Sequence, residues 1–317
     1  MFPCNPQSAL KEKRVAIVGC PFSGGQARGG VDFGPEHMIN AGLIDQVKEL
    51  GWDVTFEGHQ QFEQLKPAAN EDPDVGRLKN PRYVSAVTKA VSGVVEKHCK
   101  RGEFPLTVGG DHSLAIGTVS GVMAAYPDAC LVWVDAHADI NTPHSTPSGN
   151  IHGCPLSFVT GAAEPCPDVF SWVPKCLPFE RIAYIGLRDL DPVEKQILRE
   201  NNVCAYTMHH VDKYGIGRVV EMALERINPG LQRPIHLSFD VDAMDPAVAP
   251  ATGTPVRGGL TWREGMYICE ALHETGKLVA MDLMEVNPVL GASEQEVQAT
   301  VHAGLSLARC ALGETLL

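Results

Sequence analysis

Two carboxylates and an imidazole alternate in Asp135-Ala-His137-Ala-Asp139, directly behind the apolar run Leu131-Val-Trp-Val. An extended chain points residues i, i+2 and i+4 to one side, so a strand running out through this segment aims all three groups at one point. Asp240-Val-Asp242 repeats the arrangement behind Ser238-Phe239. A third cluster, Gly109-Gly110-Asp111-His112-Ser113, follows another apolar run, and its glycines permit the tight turn that would stand His112 at a strand rim. Taken singly, each cluster has an ordinary reading as a solvated loop, a strand-end cap or a turn histidine. Taken together, two His and four Asp point to a metal, because buried carboxylates without a compensating charge are costly and a cation removes that cost. Hard carboxylate oxygens with imidazole suit Mn2+ and, less specifically, Fe2+, Co2+, Ni2+ or Zn2+, while the absence of Cys from the clusters argues against a structural zinc site. Six ligands exceed what one catalytic ion requires. Two divalent ions roughly 3.5–4 Å apart, sharing carboxylates and a bridging water, would use them all.

The elements that must carry these groups are short Val- and Ile-rich runs at 14–19, 53–56, 104–108, 130–134, 181–186, 202–206, 234–239 and 277–284. Continuous rather than alternating hydrophobicity predicts strands buried on both faces. Helical periodicity lies between them. Val84, Val87, Val91 and Val94 mark a helix over 83–99, with Asn80 as cap and Pro81 at its first position. Thr261 and Glu264 form a capping box opening a helix through Leu272, and 215–227 and 294–312 carry the same period. Strands alternating with helices imply an α/β fold on a parallel sheet, either an open three-layer sandwich or a (β/α)8 barrel. In both, ligands gather at the carboxyl ends of the strands, where the polar clusters sit. No linker or internal repeat breaks the chain, so residues 1–317 read as a single catalytic domain.

Composition narrows the partners. With 26 Lys plus Arg against 38 Asp plus Glu the 317-residue chain carries a net charge of −12 and no basic run, which excludes an electrostatic grip on nucleic acid. Hydrophobic content of 44% contains nothing near the roughly 20 uninterrupted apolar residues of a membrane span. The N-terminal residues show neither a secretory nor a transit pattern, so the expected location is cytoplasmic. Ten scattered cysteines without a C-x-x-C are read as free buried thiols.

On these residues the sequence resembles the ureohydrolase superfamily and, within it, the arginase family. The matching motifs are Gly109-Gly-Asp-His112-Ser, Asp135-Ala-His137-Ala-Asp139, Ser238-Phe-Asp240-Val-Asp242 and Met284-Glu285-Val-Asn287-Pro288, and the likeness runs in order from Arg14 to Leu312. It implies a three-layer α/β/α sandwich on an eight-stranded parallel sheet, the arginase/deacetylase-like architecture. It also implies two Mn2+ per subunit, one on His112, Asp135, Asp139 and Asp240, the other on Asp135, His137, Asp240 and Asp242. The implied reaction is hydrolysis of the guanidinium group of L-arginine to L-ornithine and urea through a metal-bridging hydroxide, a step of arginine metabolism and the urea cycle.

By the same resemblance, Asn141, Ser148 and Asn150 would bind the substrate α-carboxylate, and Asp191 and Glu194 would address its α-amino group. Neutral donors suit a carboxylate and a carboxylate suits an ammonium, which agrees with that division. Glu285 and Thr254 would belong to the guanidinium side of the pocket. Asp139 would pass a proton to the leaving amino group, and His152 would shuttle protons to solvent, a task suited to an imidazole. His144 and Pro147 occupy variable positions of the carboxylate-reading loop. Arg263 resembles an arginine that joins subunits in homotrimers, although bacterial-type relatives form hexamers. An agmatinase or formimidoylglutamase would share the metal motifs, and a catalytically silent scaffold would have lost at least one ligand; all six are filled here.

Overall fold

All eight apolar runs form strands of one parallel sheet in a computed structural model that describes residues 8–68 and 70–315. They are β1 (Arg14–Cys20), β2 (Asp53–Thr55), β3 (Phe104–Gly109), β4 (Cys130–Val134), β5 (Ile182–Leu187), β6 (Cys204–Thr207), β7 (Ile235–Asp240) and β8 (Leu278–Met284). Their order across the sheet is β2-β1-β3-β8-β7-β4-β5-β6. The sheet is open, which settles sandwich against barrel.

Ten α-helices accompany the strands among the described residues. They are α1 (Gly34–Asn40), α2 (Leu43–Glu49), α3 (Pro81–Lys100), α4 (Ala115–Ala125), α5 (Pro155–Thr160), α6 (Pro192–Glu200), α7 (Met208–Tyr214), α8 (Ile216–Ile227), α9 (Trp262–Glu274) and α10 (Glu294–Ala311). Alternate strand residues feed two apolar cores. Cys130, Val132 and Val134 of β4 face one core together with residues of α1, α2 and α7 to α10, while Leu131 and Trp133 face the other, built on α3 to α6. Both sheet faces are therefore covered, which is why the strands read as unbroken apolar runs.

Local chemistry sets the helix ends. Thr261 N donates to Glu264 Oε2 at 2.8 Å, realising the expected capping box of α9, and Ser293 caps α10 by accepting Glu296 N at 3.3 Å. Asn80 does not serve as the side-chain cap expected of it. It sits at φ 49° at the start of α3 and its amide donates instead to Gly24 O at 2.9 Å, tying α3 to the loop after β1. The nine described cysteines are free, as anticipated, and Cys4 lies outside the described residues. No helix among the described residues is long and apolar enough to cross a membrane.

One glycine fixes the approach of the central loops. Gly110 donates to Cys20 O at 2.9 Å and accepts from Glu285 N at 3.0 Å, and a Cβ placed on it would lie 1.8 Å from Phe22 O. Three loops thus meet where only a hydrogen fits. Gly110→Ala is expected to cost about 2–3 kcal/mol in urea unfolding, because backbone cannot yield as a flexible side chain can. An unchanged midpoint would mean that these strand ends part freely.

Candidate active site

Strand order brings the polar clusters together. β3, β8, β7 and β4 are neighbours at the centre of the sheet, so the loops at their carboxyl ends converge although their sequences lie far apart. Register sharpens this: Val134 pairs with Phe239 and Asp240 with Met284, which sets Asp135 level with Asp240 and Glu285 one residue beyond. Asp139 and Glu285 sit at φ 48° and 67°. Left-handed backbone at a non-glycine residue costs about 1–3 kcal/mol and persists where the surroundings hold it.

Two groups of ligand-type atoms result. His112, Asp135, Asp139 and Asp240 bring one atom each within 4.8 Å of the others, and Asp135, His137 and Asp242 form a second group sharing Asp135. His112 Nδ1 lies 3.0, 3.3 and 3.5 Å from carboxylate oxygens of Asp240, Asp135 and Asp139. Its Nε2 meets Ser238 Oγ at 2.9 Å, its backbone N–H donates to Glu285 Oε1 at 2.9 Å, and its ring stacks on Trp133 at 4.0 Å. Those three contacts fix the imidazole plane and turn Nδ1 toward the carboxylates. His137 Nδ1 lies 3.1 Å from Asp242 and 3.4 Å from Asp135. Asp135 is gripped at both oxygens, accepting Trp133 Nε1 at 2.9 Å and His137 N at 2.7 Å. Asp242 accepts Thr254 Oγ1 at 2.8 Å, and Asp240 accepts Asp242 N at 2.8 Å.

The electrostatics describe a site in want of positive charge. Burial pushes the Asp139 and Asp240 carboxyls well above the usual range, and the charges of Asp135 and Asp242 push the same way. Burial disfavours charge on His112 and His137 too, yet hydrogen bonds and Coulomb attraction from Asp135, Asp240 and Asp242 overcome it and raise both imidazoles. Asp135 is likewise opposed by burial but held low by its two His neighbours. Four carboxylates this close stay together only with protons or cations among them. The donor set, oxygen with imidazole and no thiolate, fits a binuclear metal site.

Above this floor opens a cleft of about 190 Å3 lined by His137, Asp139, Asn141, Ser148, His152, Asp191, Glu194, Asp240, Asp242 and Thr254. Asn141 Nδ2 donates to Asp191 Oδ2 at 2.7 Å, so the residues expected to meet the α-carboxylate and the α-amino group, which share one carbon of the ligand, stand side by side. Glu194 turns its oxygens to backbone, accepting Ile140 N at 3.2 Å and Asp191 N at 2.9 Å; burial nevertheless pushes its carboxyl up to about 7. Asn150 and Glu285 are set back from the lining. Glu285 is buried and accepts from His112 N, pairs with His152 Nδ1 at 3.2 Å and accepts Gln26 Nε2 at 2.7 Å. Burial opposes its charge, but those partners, His152 first, hold it below the usual carboxylate range. Arg263 lies away from the site and pairs with Glu270 at 3.0 Å.

Several contributors carried no role in the sequence reading. Gln26 and Gly25 come from the loop after β1, where Gly25 N donates to Asp111 Oδ2 at 2.8 Å and Gln26 grips Glu285. The signal available was position: Gly24-Gly25-Gln26 follows a buried strand at its carboxyl end. Trp133 lay inside an apolar run and looked like core.

Comparison with known proteins agrees with this geometry. The Arginase family profile matches residues 13–313. An arginase of Glaciozyma antarctica is 57% identical over 321 residues, covering 100% of this chain and 92% of that protein. One from Schizosaccharomyces pombe is 57% identical over 303 residues, covering 96% and 93%. The native structure of arginase from Bacillus caldovelox superposes with a TM-score of 0.87 at 37% identity, covering 96% of this chain and all of that one. On its sequence, its open eight-stranded sheet and its paired carboxylate–imidazole groups, the chain belongs to the arginase family of metal-dependent hydrolases.

Proposed function

We propose that the chain hydrolyses L-arginine to L-ornithine and urea with two Mn2+ per subunit, in the cytoplasm and as a homo-oligomer. The observation that carries this reading is the pair of carboxylate–imidazole groups sharing Asp135 beneath a cleft that offers both neutral donors and a carboxylate. His112, Asp135, Asp139 and Asp240 would hold one ion, and Asp135, His137 and Asp242, with Asp240 completing the set, the other. Bound there, the ions would acidify a shared water and so supply hydroxide near neutral pH.

The chain's own residues then do the rest. Asn141 and Ser148, with Asn150 behind them, receive the α-carboxylate, and Asp191, set by the Glu194 backbone clasp, receives the α-ammonium. Glu285, held ionised by His152 and Gln26, supplies negative charge on the guanidinium side, and Thr254 fixes the orientation of Asp242. Asp139, which lines the cleft floor, would pass the proton of the attacking hydroxide on to the departing δ-amino group. His152 is partly exposed at the cleft wall and passes protons between the site and solvent.

The test is urea release with L-arginine and agmatine offered separately, before and after EDTA treatment and Mn2+ readdition. Metal-dependent turnover of L-arginine with agmatine nearly inert is the expected result. A preference for agmatine would overturn the α-carboxylate assignment, and turnover indifferent to EDTA would overturn the metal one.

A further inference from the structure

Thr146, Pro147 and Ser148 form one wall of the cleft, on an irregular loop spanning 141–150. Its inner edge is bonded to itself: Ser145 N and Thr146 N donate to Thr142 O, Ser145 Oγ donates to Asn141 Oδ1, and Gly149 N donates to Thr146 Oγ1. Its outer edge is bonded to a different part of the chain. Arg77 Nη1 donates to Thr146 O at 3.0 Å and Lys79 N donates to Gly149 O at 3.0 Å. Gly149 has φ 77°, and a Cβ there would lie 2.1 Å from Arg77 O, so the two backbones touch. These contacts flank Pro147 and Ser148 on both sides.

The clamping segment is itself anchored. Val75 and Leu78 exchange backbone hydrogen bonds of 3.1 and 3.0 Å, which places Gly76 and Arg77 at a tight two-residue turn. Leu78 is fully buried in the core under α3, which starts three residues later. No catalytic motif includes residues 75–79.

We propose that Arg77 is a positioning residue for α-carboxylate recognition, acting through the loop it clamps. Ser148 Oγ accepts Asn150 N at 3.2 Å, which places the oxygen and leaves its own O–H to donate into the cleft. A guanidinium bonded to Thr146 O holds that hydroxyl at a set distance from Asn141, so a ligand carboxylate finds both donors already in place and less ordering is needed on binding. The inference rests on the reading of Ser148 and Asn141 given above. Its consequence is selective, because a ligand without an α-carboxylate gains nothing from the clamp.

Arg77→Met keeps the apolar stem and removes the donors, and Arg77→Lys returns one cation. In Arg77→Met, the KM for L-arginine should rise about five- to tenfold, the loss expected of one hydrogen bond, with kcat within about twofold. The Ki of agmatine as an inhibitor of L-arginine turnover should stay unchanged, and Arg77→Lys should recover part of the loss. Amide exchange at Ser148, Gly149 and Asn150, measured without substrate, should accelerate at least about threefold. Unchanged exchange would overturn the clamp. Faster exchange with an unchanged KM for L-arginine, or an equal rise in the Ki of agmatine, would overturn its role in recognition. A wild-type preference for agmatine would sink the reading of the cleft instead, and the exchange result would still decide the clamp.

Discussion

Asp135→Asn is expected to lower kcat/KM for L-arginine by about 10^3-fold or more, roughly 4 kcal/mol of transition-state stabilisation. Asp135 is the one residue common to both groups of ligand atoms. One of its oxygens accepts His137 N and the other accepts Trp133 Nε1 while facing His112 Nδ1 at 3.3 Å. Asparagine matches the shape but offers a single acceptor, so one of those contacts becomes donor against donor, and the charge shared between the two groups is gone. Metal analysis should find two Mn2+ per chain in the wild type and fewer than one in the variant. Added Mn2+ should raise the unfolding temperature of the wild type strongly and that of the variant little, since only a ligand bound to the folded state shifts it. Full metal content in Asp135→Asn, with activity within tenfold, would show that the two groups do not depend on a shared carboxylate.

The carboxylates at the strand ends were legible because period-two spacing behind an apolar run is a local pattern. Asp135, His137 and Asp139 announce one face without any knowledge of their neighbours. What the pattern did not contain was the pairing. That Asp135 stands level with Asp240 follows from the order β7-β4 and its register, which arise from helices packing on both faces. The second sphere was hidden for the same reason: Gln26 reaches Glu285 across 259 positions. Arg77 and Lys79 hold the loop over 141–150 through the carbonyls of Thr146 and Gly149, which no side-chain motif records.

Helices divided along similar lines. α3 and α8 carry one buried stripe each, and their 3.6-residue period was plain in the valines and leucines. α4 was expected to start after the Gly109–Ser113 cluster, but its extent could not be read because it is buried over nearly its whole surface, from Ala115 to Met123, and a helix without a polar face has no period. Gly117 and Gly121, on one of its faces, meet the backbone of α3 so closely that added Cβ atoms would lie 2.2 and 2.5 Å from Thr88 O and Ser92 O. Glycine lowers helix propensity, yet at these two positions it is the condition for close helix packing. α1, α2, α5 and α7, at six or seven residues each, are too short for periodicity to show.

The largest expected loss of stability lies in residues that the sequence presented as ordinary strand interior. His236 and Asp282 fall within two runs read as apolar, and both are fully buried on the α4 side of the sheet. Asp282 Oδ2 accepts Thr118 Oγ1 at 2.7 Å and lies 2.9 Å from His236 Nε2, without hydrogen-bond geometry toward the ring. Its register neighbours are Thr107 and Ser238. Burial and this carboxylate's charge together push the Cys20 thiol far above its usual range, a sign of how little solvent screens it. Asp282→Ala should therefore cost about 3–5 kcal/mol, because it opens a cavity, takes the acceptor of Thr118 and removes the carboxylate beside His236 in the core. The unfolding temperature should fall by about 4–8 °C. Asp282→Asn keeps an acceptor for Thr118 and should lose less than half as much. The double variant Asp282→Leu with His236→Leu removes the polar pair together and should recover most of the loss, since a buried pair replaced by apolar side chains is often neutral. Equal destabilisation by the double variant and Asp282→Ala would instead show that Thr118 and the helix it anchors, rather than the His236 pairing, are what Asp282 holds.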